Sequence, residues 1–216
     1  MQNAVGNTSK LLRSSVKPKL HIGVLALQGA FGAHTEALRK CGAEVRLVRA
    51  QEDLSGLQGL VIPGGESTTM SNLLVASGLS EVLKRLCQDG FPVFGTCAGM
   101  IMLAETILDG RADQVSLCAL DIEIRRNGYG RQNDSFEQDI IVHSFDTPFH
   151  ALFIRAPVIE AIGSDVEVLA SWGDRPVLVR TANILACSFH PELVSDLRIH
   201  KIFLSIVENF SVTNPR

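Results

Sequence analysis

Cys97 stands in the stretch Gly95-Thr96-Cys97-Ala98-Gly99, where one apolar run stops and another begins. Glycine-x-nucleophile-x-glycine is the form of a strand-to-helix elbow, which lifts a single side chain above a sheet edge. A thiolate at such a bend can attack a carbonyl carbon, so the chemistry implied is acyl transfer. A space-filling buried cysteine would look the same in isolation, so the thiol needs partners. Of the six histidines, only His190 follows an apolar strand-like run, at 184–189, and enters a stiff turn, His190-Pro191-Glu192-Leu193. In extended chain, residues two apart point to one side, which brings Glu192 within reach of the imidazole. A carboxylate there would fix the ring tautomer and stabilise an imidazolium. Donors for a developing oxyanion are offered by the Ala98 N–H and by Gly65 in Pro63-Gly64-Gly65, because an amide without a neighbouring Cβ can approach a substrate closely. Without a catalytic partner, that turn is a plain loop before a helix capped by Ser67 or Thr68.

These residues need a frame that holds a strand end, a glycine loop and a histidine turn together. The run at 21–27 is apolar on both faces, as in the interior of a parallel sheet, and strands are also expected at 43–49, 59–63 and 91–95. Between them, 31–42 has helical spacing that closes on Gly42, and 68–89 is helical with a break at Gly78. A helix over 98–110, closing on Gly110, is expected after Cys97. Strands alternating with helices imply βαβ units and a parallel sheet covered on both faces. Beyond Leu117 the texture changes to short strands at 120–126, 139–145, 151–157, 166–172, 176–181 and 184–189, which suggests an antiparallel extension. A last helix over 196–210, capped by Ser195, turns Ile199, Phe203, Ile206 and Val207 inward.

Composition narrows the classes. The chain has 216 residues, 46% of them hydrophobic and 20% charged, with a formal net charge of −3. That is an ordinary globular balance, with no basic footprint for nucleic acid or an anionic membrane. No apolar stretch reaches the roughly 20 residues that span a bilayer. The five cysteines are scattered with no paired spacing, which points to a reducing, cytoplasmic setting and to neither zinc nor a disulfide framework. No metal and no cofactor are expected. Residues 1–19 carry four basic residues and no acid, and read as a flexible leader outside a single domain at 20–212.

"GTCAGM", "HPEL" and "PGGES" together resemble the class I, triad-type glutamine amidotransferases. "IGVLALQGAF", "PGGESTTM", "RNGYGRQNDSFE" and "FIRAP" narrow the resemblance to the glutaminase subunits of pyridoxal 5′-phosphate synthase, over about 20–210, with Tyr129 where phenylalanine is more usual. The resemblance implies an α/β, flavodoxin-like three-layer sandwich whose mainly parallel sheet carries an antiparallel extension. It implies Cys97 as nucleophile, His190 as base and acid, and Glu192 as the orienting carboxylate. Gly65, Glu66 and Ser67 would line a glutamine pocket, with Gly65 and Ala98 in the oxyanion hole. Arg126, Ile154 and Arg155 would bind L-glutamine. Gln28-Gly29-Ala30 would face the partner, a (β/α)₈-barrel synthase subunit that consumes the ammonia, and the isolated chain would be a poor glutaminase. Three other readings compete. An α/β-hydrolase would order its triad nucleophile, acid, histidine, unlike Cys97, His190, Glu192. The others are an amidotransferase subunit of an imidazole or nucleotide pathway and a non-catalytic glutamine-binding scaffold.

Overall fold

Strands apolar on both faces must lie between two covering layers, and the three central ones do. In the computed structural model, which describes residues 19–126, 128 and 135–213, every residue of β3 (Gly59–Ile62), β4 (Val93–Thr96) and β12 (Ile184–Cys187) is buried. With β1 (His21–Leu25) and β2 (Glu44–Val48) they form a parallel set. The antiparallel hairpin β10 (Glu167–Trp172) and β11 (Arg175–Arg180) extends it beyond β12. The seven-stranded order is β10-β11-β12-β4-β3-β1-β2. This is the α/β fold expected, antiparallel extension included.

The period of two along each strand sorts side chains into two cores. From β3 and β4, Leu60, Ile62 and Val93 enter the core beneath α2 (Ser67–Ala76), α3 (Leu79–Gln88) and α4 (Ala98–Leu103). Their neighbours Val61 and Phe94 enter the core beneath α1 (Phe31–Lys40) and α5 (Arg198–Thr213). Two smaller sheets complete the chain: β5 (Ala104–Ile107), β6 (Leu120–Arg125) and β9 (Val158–Ile162), and the hairpin of β7 (Ser135–Ile140) with β8 (Phe149–Ile154).

Helix ends follow local chemistry. Gly42, at φ +92°, ends α1 just past its C-cap, and Gly78, at φ +71°, separates α2 from α3. Four expectations need correction. The helix after Cys97 stops at Leu103, and the next residues form β5, because polar and β-branched Glu105-Thr106-Ile107 find a backbone ladder on β6. Strand β9 was not expected. The strand placed at 139–145 lies earlier, at Ser135–Ile140, where it pairs residue for residue with β8. The Asp196 carboxylate, rather than Ser195, accepts the Arg198 N–H at 3.0 Å at the start of α5. Among the described residues no helix is long and apolar enough to cross a membrane. The leader, apart from Lys19, and Tyr129 lie outside the described residues.

Candidate active site

β4 ends at Thr96, and Cys97 turns the chain straight into α4 with φ 49° and ψ −106°. A non-glycine residue at positive φ is strained, and strain persists only where surrounding structure imposes it. Here the Cys97 N–H is fixed to the Cys187 carbonyl at 2.8 Å, while its own carbonyl accepts the Ile101 N–H at 3.2 Å. Gly99 is obligatory at this bend, since a Cβ there would collide with the Ile62 carbonyl of the adjacent strand.

β12 pairs in parallel with β4, Cys187 opposite Thr96, so the chain that leaves β12 emerges beside the thiol. His190 is pinned by its N–H to the Leu152 carbonyl at 2.9 Å. Its Nδ1 lies 2.8 Å from Glu192 Oε1, and the ring and the Cys97 thiol line the same cavity. Pro191–Leu193 is a 3₁₀ turn, so Glu192 curls back to the imidazole rather than reaching it along extended chain as the spacing suggested. Gly64 completes the packing: a Cβ there would lie 2.6 Å from His190 Cε1 and 3.4 Å from Cys97 Cβ. Both His190 and Glu192 are buried. Burial opposes a charge on His190, but its interactions with neighbouring Cys97 and Glu192 outweigh it and hold its pKa at about 10. Burial likewise pushes the Glu192 carboxyl up, yet the His190 hydrogen bond and the neighbouring His34 and His190 imidazoles bring it below its ordinary value.

A cavity of about 200 Å³ opens above the thiol. It is lined by Gly65, Glu66, Ser67, Cys97, Ala98, Arg126, Ile154, Arg155 and His190, together with Ile101. Every site residue expected from the sequence therefore meets at one place, with Glu192 just behind the lining. The Ile154 carbonyl lies 3.9 Å from Cys97 Sγ, and Arg155 beside it is also held at positive φ, 43°. The Arg126 guanidinium is braced by Thr68 Oγ1 at 2.9 Å and the Asp109 carbonyl at 3.0 Å. Glu66, not Ser67 or Thr68, caps α2: its carboxylate accepts the Thr68 and Thr69 N–H groups at 2.9 and 2.7 Å. Against the opposing effect of burial, those bonds and the Thr69 hydroxyl lower its pKa to about 2. The Gln28-Gly29-Ala30 loop supports this glycine turn, with the Ala30 N–H on the Gly64 carbonyl at 3.2 Å and Gln28 Nε2 on the Glu66 carbonyl at 3.1 Å.

Residues 24–209 match the SNO glutamine amidotransferase family. The chain belongs to that family. The pyridoxal 5′-phosphate synthase subunit PdxT of Corynebacterium jeikeium is 52% identical over 192 residues, 88% of this chain and 98% of its own length. The protein of the same name from Thermus thermophilus is 51% identical over 186 residues, 86% of this chain and 96% of its own. A crystal structure of a glutamine amidotransferase superposes with a TM-score of 0.82 at 47% identity, covering 87% of this chain and 98% of that one. PurLQS from Thermotoga maritima, at 17% identity and a TM-score of 0.60 over 89% of this chain and 99% of that one, shares the fold alone.

This amidotransferase also contains a polar group that sequence reasoning missed. His34 of α1 and His200 of α5, both fully buried, meet with His34 Nδ1 3.0 Å from His200 Nε2. His34 Nε2 lies 3.0 Å from Thr96 Oγ1 and 3.3 Å from Glu192 Oε2. Nothing in the local sequence separates these histidines from the other four. The available signal was their phase, His34 with Leu38 and His200 with Phe203 and Leu204 on the inward helix faces. Burial, and then the neighbouring His34, lower the His200 pKa to about 3. An unfolded histidine titrates near 6.5. The unfolded chain thus takes up a proton that the folded chain refuses, and stability present above about pH 6.5 drains away as pH falls toward 3. His200 is expected to remove about 2 kcal/mol of stability between pH 7 and pH 5. Denaturant titrations at the two pH values should show this loss shrink in His200→Gln, which keeps a donor but cannot titrate.

Proposed function

We propose that the chain is the glutaminase subunit of a pyridoxal 5′-phosphate synthase. It would hydrolyse L-glutamine to L-glutamate and ammonia through a thioester on Cys97 and pass the ammonia to a (β/α)₈-barrel synthase subunit. The observation that carries this reading is one pocket lined by Cys97, His190 and two arginines, with Glu192 held on the imidazole at 2.8 Å. Arg126 and Arg155 suit the substrate's α-carboxylate, since a guanidinium can hold a carboxylate through two N–H groups. That places the side-chain amide over Cys97.

In the first half-reaction Sγ attacks the amide carbon, and the oxyanion forms toward the Gly65 and Ala98 N–H groups. His190 gives a proton to the departing nitrogen, the C–N bond breaks, and ammonia leaves a γ-glutamyl thioester. In the second, water attacks that thioester and loses its proton to His190. The C–S bond then breaks, and glutamate leaves with the thiolate restored. Glu192 holds the ring orientation throughout. Free ammonia becomes ammonium in neutral water and is then no nucleophile, so direct delivery to a sheltered partner site has a chemical rationale. We also read residues 20–212 as one amidotransferase domain, a reading supported by the continuous sheet that runs from β2 to β10, and place its work in the cytoplasm on the scattered, unpaired spacing of its cysteines.

The test measures glutamate release and cofactor formation with and without the barrel subunit. Slow hydrolysis by the chain alone, accelerated when the barrel is added and coupled to cofactor formation, is the expected result. No hydrolysis in either condition would leave a glutamine-binding scaffold. Hydrolysis without coupling would point to another amidotransferase pathway.

A further inference from the structure

Behind the catalytic residues a second layer of imidazoles faces Glu192, and the proposed chemistry leaves it unused. Glu192 is buried and spends only Oε1 on His190. Its Oε2 has no aligned hydrogen-bond donor among the described residues. His34 Nε2 stands 3.3 Å away, but it aims at Thr96 Oγ1 and meets the carboxylate off-axis; the Glu192 backbone N–H also acts on the carboxylate. A buried carboxylate oxygen with no donor is costly, so the proton on that ring nitrogen matters.

The network assigns it. If His34 carried its proton on Nδ1, its bare Nε2 would present a lone pair to a carboxylate 3.3 Å away. His200 Nε2 would then have to accept, forcing its proton onto Nδ1, which has no partner among the described residues. That arrangement pairs repulsion at one end with an orphaned buried N–H at the other, the rarer kind of unmet group. With the proton on His34 Nε2 both faults disappear. His200 donates from Nε2 to His34 Nδ1, and His34 directs its N–H toward Thr96 and Glu192. The unmet atom is then a bare ring nitrogen, the milder fault. Burial lowers the pKa of both rings and so favours their neutral forms.

We infer that His34 is a positioning residue for the triad: held in its Nε2–H tautomer by His200, it turns an N–H rather than a lone pair toward the second oxygen of Glu192 and so keeps that carboxylate a pure acceptor aimed at His190. His34 thus does for Glu192 what Glu192 does for His190, in the way outer partners orient ligating groups elsewhere. Thr96 lies directly before Cys97, so the same nitrogen also ties α1 to the strand that carries the thiol. The titratable groups around Glu192 are His190 on its own turn, His34 from α1, Cys97 at the head of α4, Cys187 from β12 and His200 from α5. The inference rests on the proposed triad.

The experiment uses the full chain. It reads glutamine hydrolysis and, independently of substrate, the rate at which iodoacetamide alkylates Cys97 from pH 6 to 9, followed by mass spectrometry of the Cys97 peptide. His34→Leu is expected to lower kcat about 10- to 100-fold with KM within about twofold. Cys97 alkylation at neutral pH should slow in the same variant, because a misaimed Glu192 holds the imidazolium less firmly. His34→Gln, whose amide nitrogen can stand where Nε2 stood, should restore most of both. His34→Asn, too short to reach, should not. In a Glu192→Gln background, His34→Leu should cost nothing further. Unchanged kcat and alkylation in His34→Leu would overturn the inference, as would an equal loss in the Glu192→Gln background, the mark of a merely structural role. Should His34→Leu fail to fold, the Gln and Asn variants decide: equal activities overturn it, and a gap of tenfold or more supports it. Failure of the triad itself shows separately, as glutamine hydrolysis retained in Cys97→Ser.

Discussion

Cys97→Ser is expected to reduce glutamine hydrolysis by about 10⁴-fold or more, since in enzymes of this design the nucleophile carries most of the catalysis. Serine matches cysteine in shape and can take the same backbone angles, so the bend at φ 49° and the bonds to Cys187 and Ile101 should persist. What changes is the attacking atom. A hydroxyl gives up its proton far less readily than a thiol, so His190 has a much poorer nucleophile to activate. The check is glutamate release at saturating glutamine, beside a thermal melt showing an unchanged fold. A rate within tenfold of wild type would remove Cys97 from the mechanism.

His190→Asn should cost between about 10⁴- and 10⁶-fold in kcat. Asparagine can place its amide N–H near the position of Nδ1 and so keep a donor on Glu192 Oε1, which spares the carboxylate the cost of losing its partner. The imidazole nitrogen that would move the protons is then gone, and neither proton transfer can occur. Because nucleophile and base act as one unit, the Cys97→Ser, His190→Asn double variant should be no slower than either single variant. Rates that multiply would mean the two residues act separately.

Much of this arrangement could be read from the chain alone. Cys97, His190 and the Pro63-Gly64-Gly65 turn each close an apolar run, and an open parallel sheet gathers such ends along one edge. Arg126 and Arg155 were tied to the pocket by family resemblance, because an isolated arginine carries no local mark of a ligand site. The misread strands share one cause. Residues 104–107 could continue a helix, and only the distant β6 makes them a strand. Val158–Ile162 lies between two proline- and glycine-marked turns, and its partner is again β6, more than thirty residues earlier. Ser195 was a plausible cap, but Asp196 stands one residue nearer the helix and offers a stronger acceptor. His34 and His200 were invisible for the same reason: their significance is a distance of 3.0 Å between α1 and α5. Pairings across the chain leave little trace in local pattern.

The position of β12 sets when the enzyme can begin to work. The thiol sits at the end of β4, and its imidazole arrives only after the chain has returned, by way of the two smaller sheets and a hairpin, to lie along that same strand. Closing so long a loop is among the slower events of folding. A nascent polypeptide still on the ribosome would therefore carry a thiol without its base, and glutamine would be safe from it until the last strand had docked.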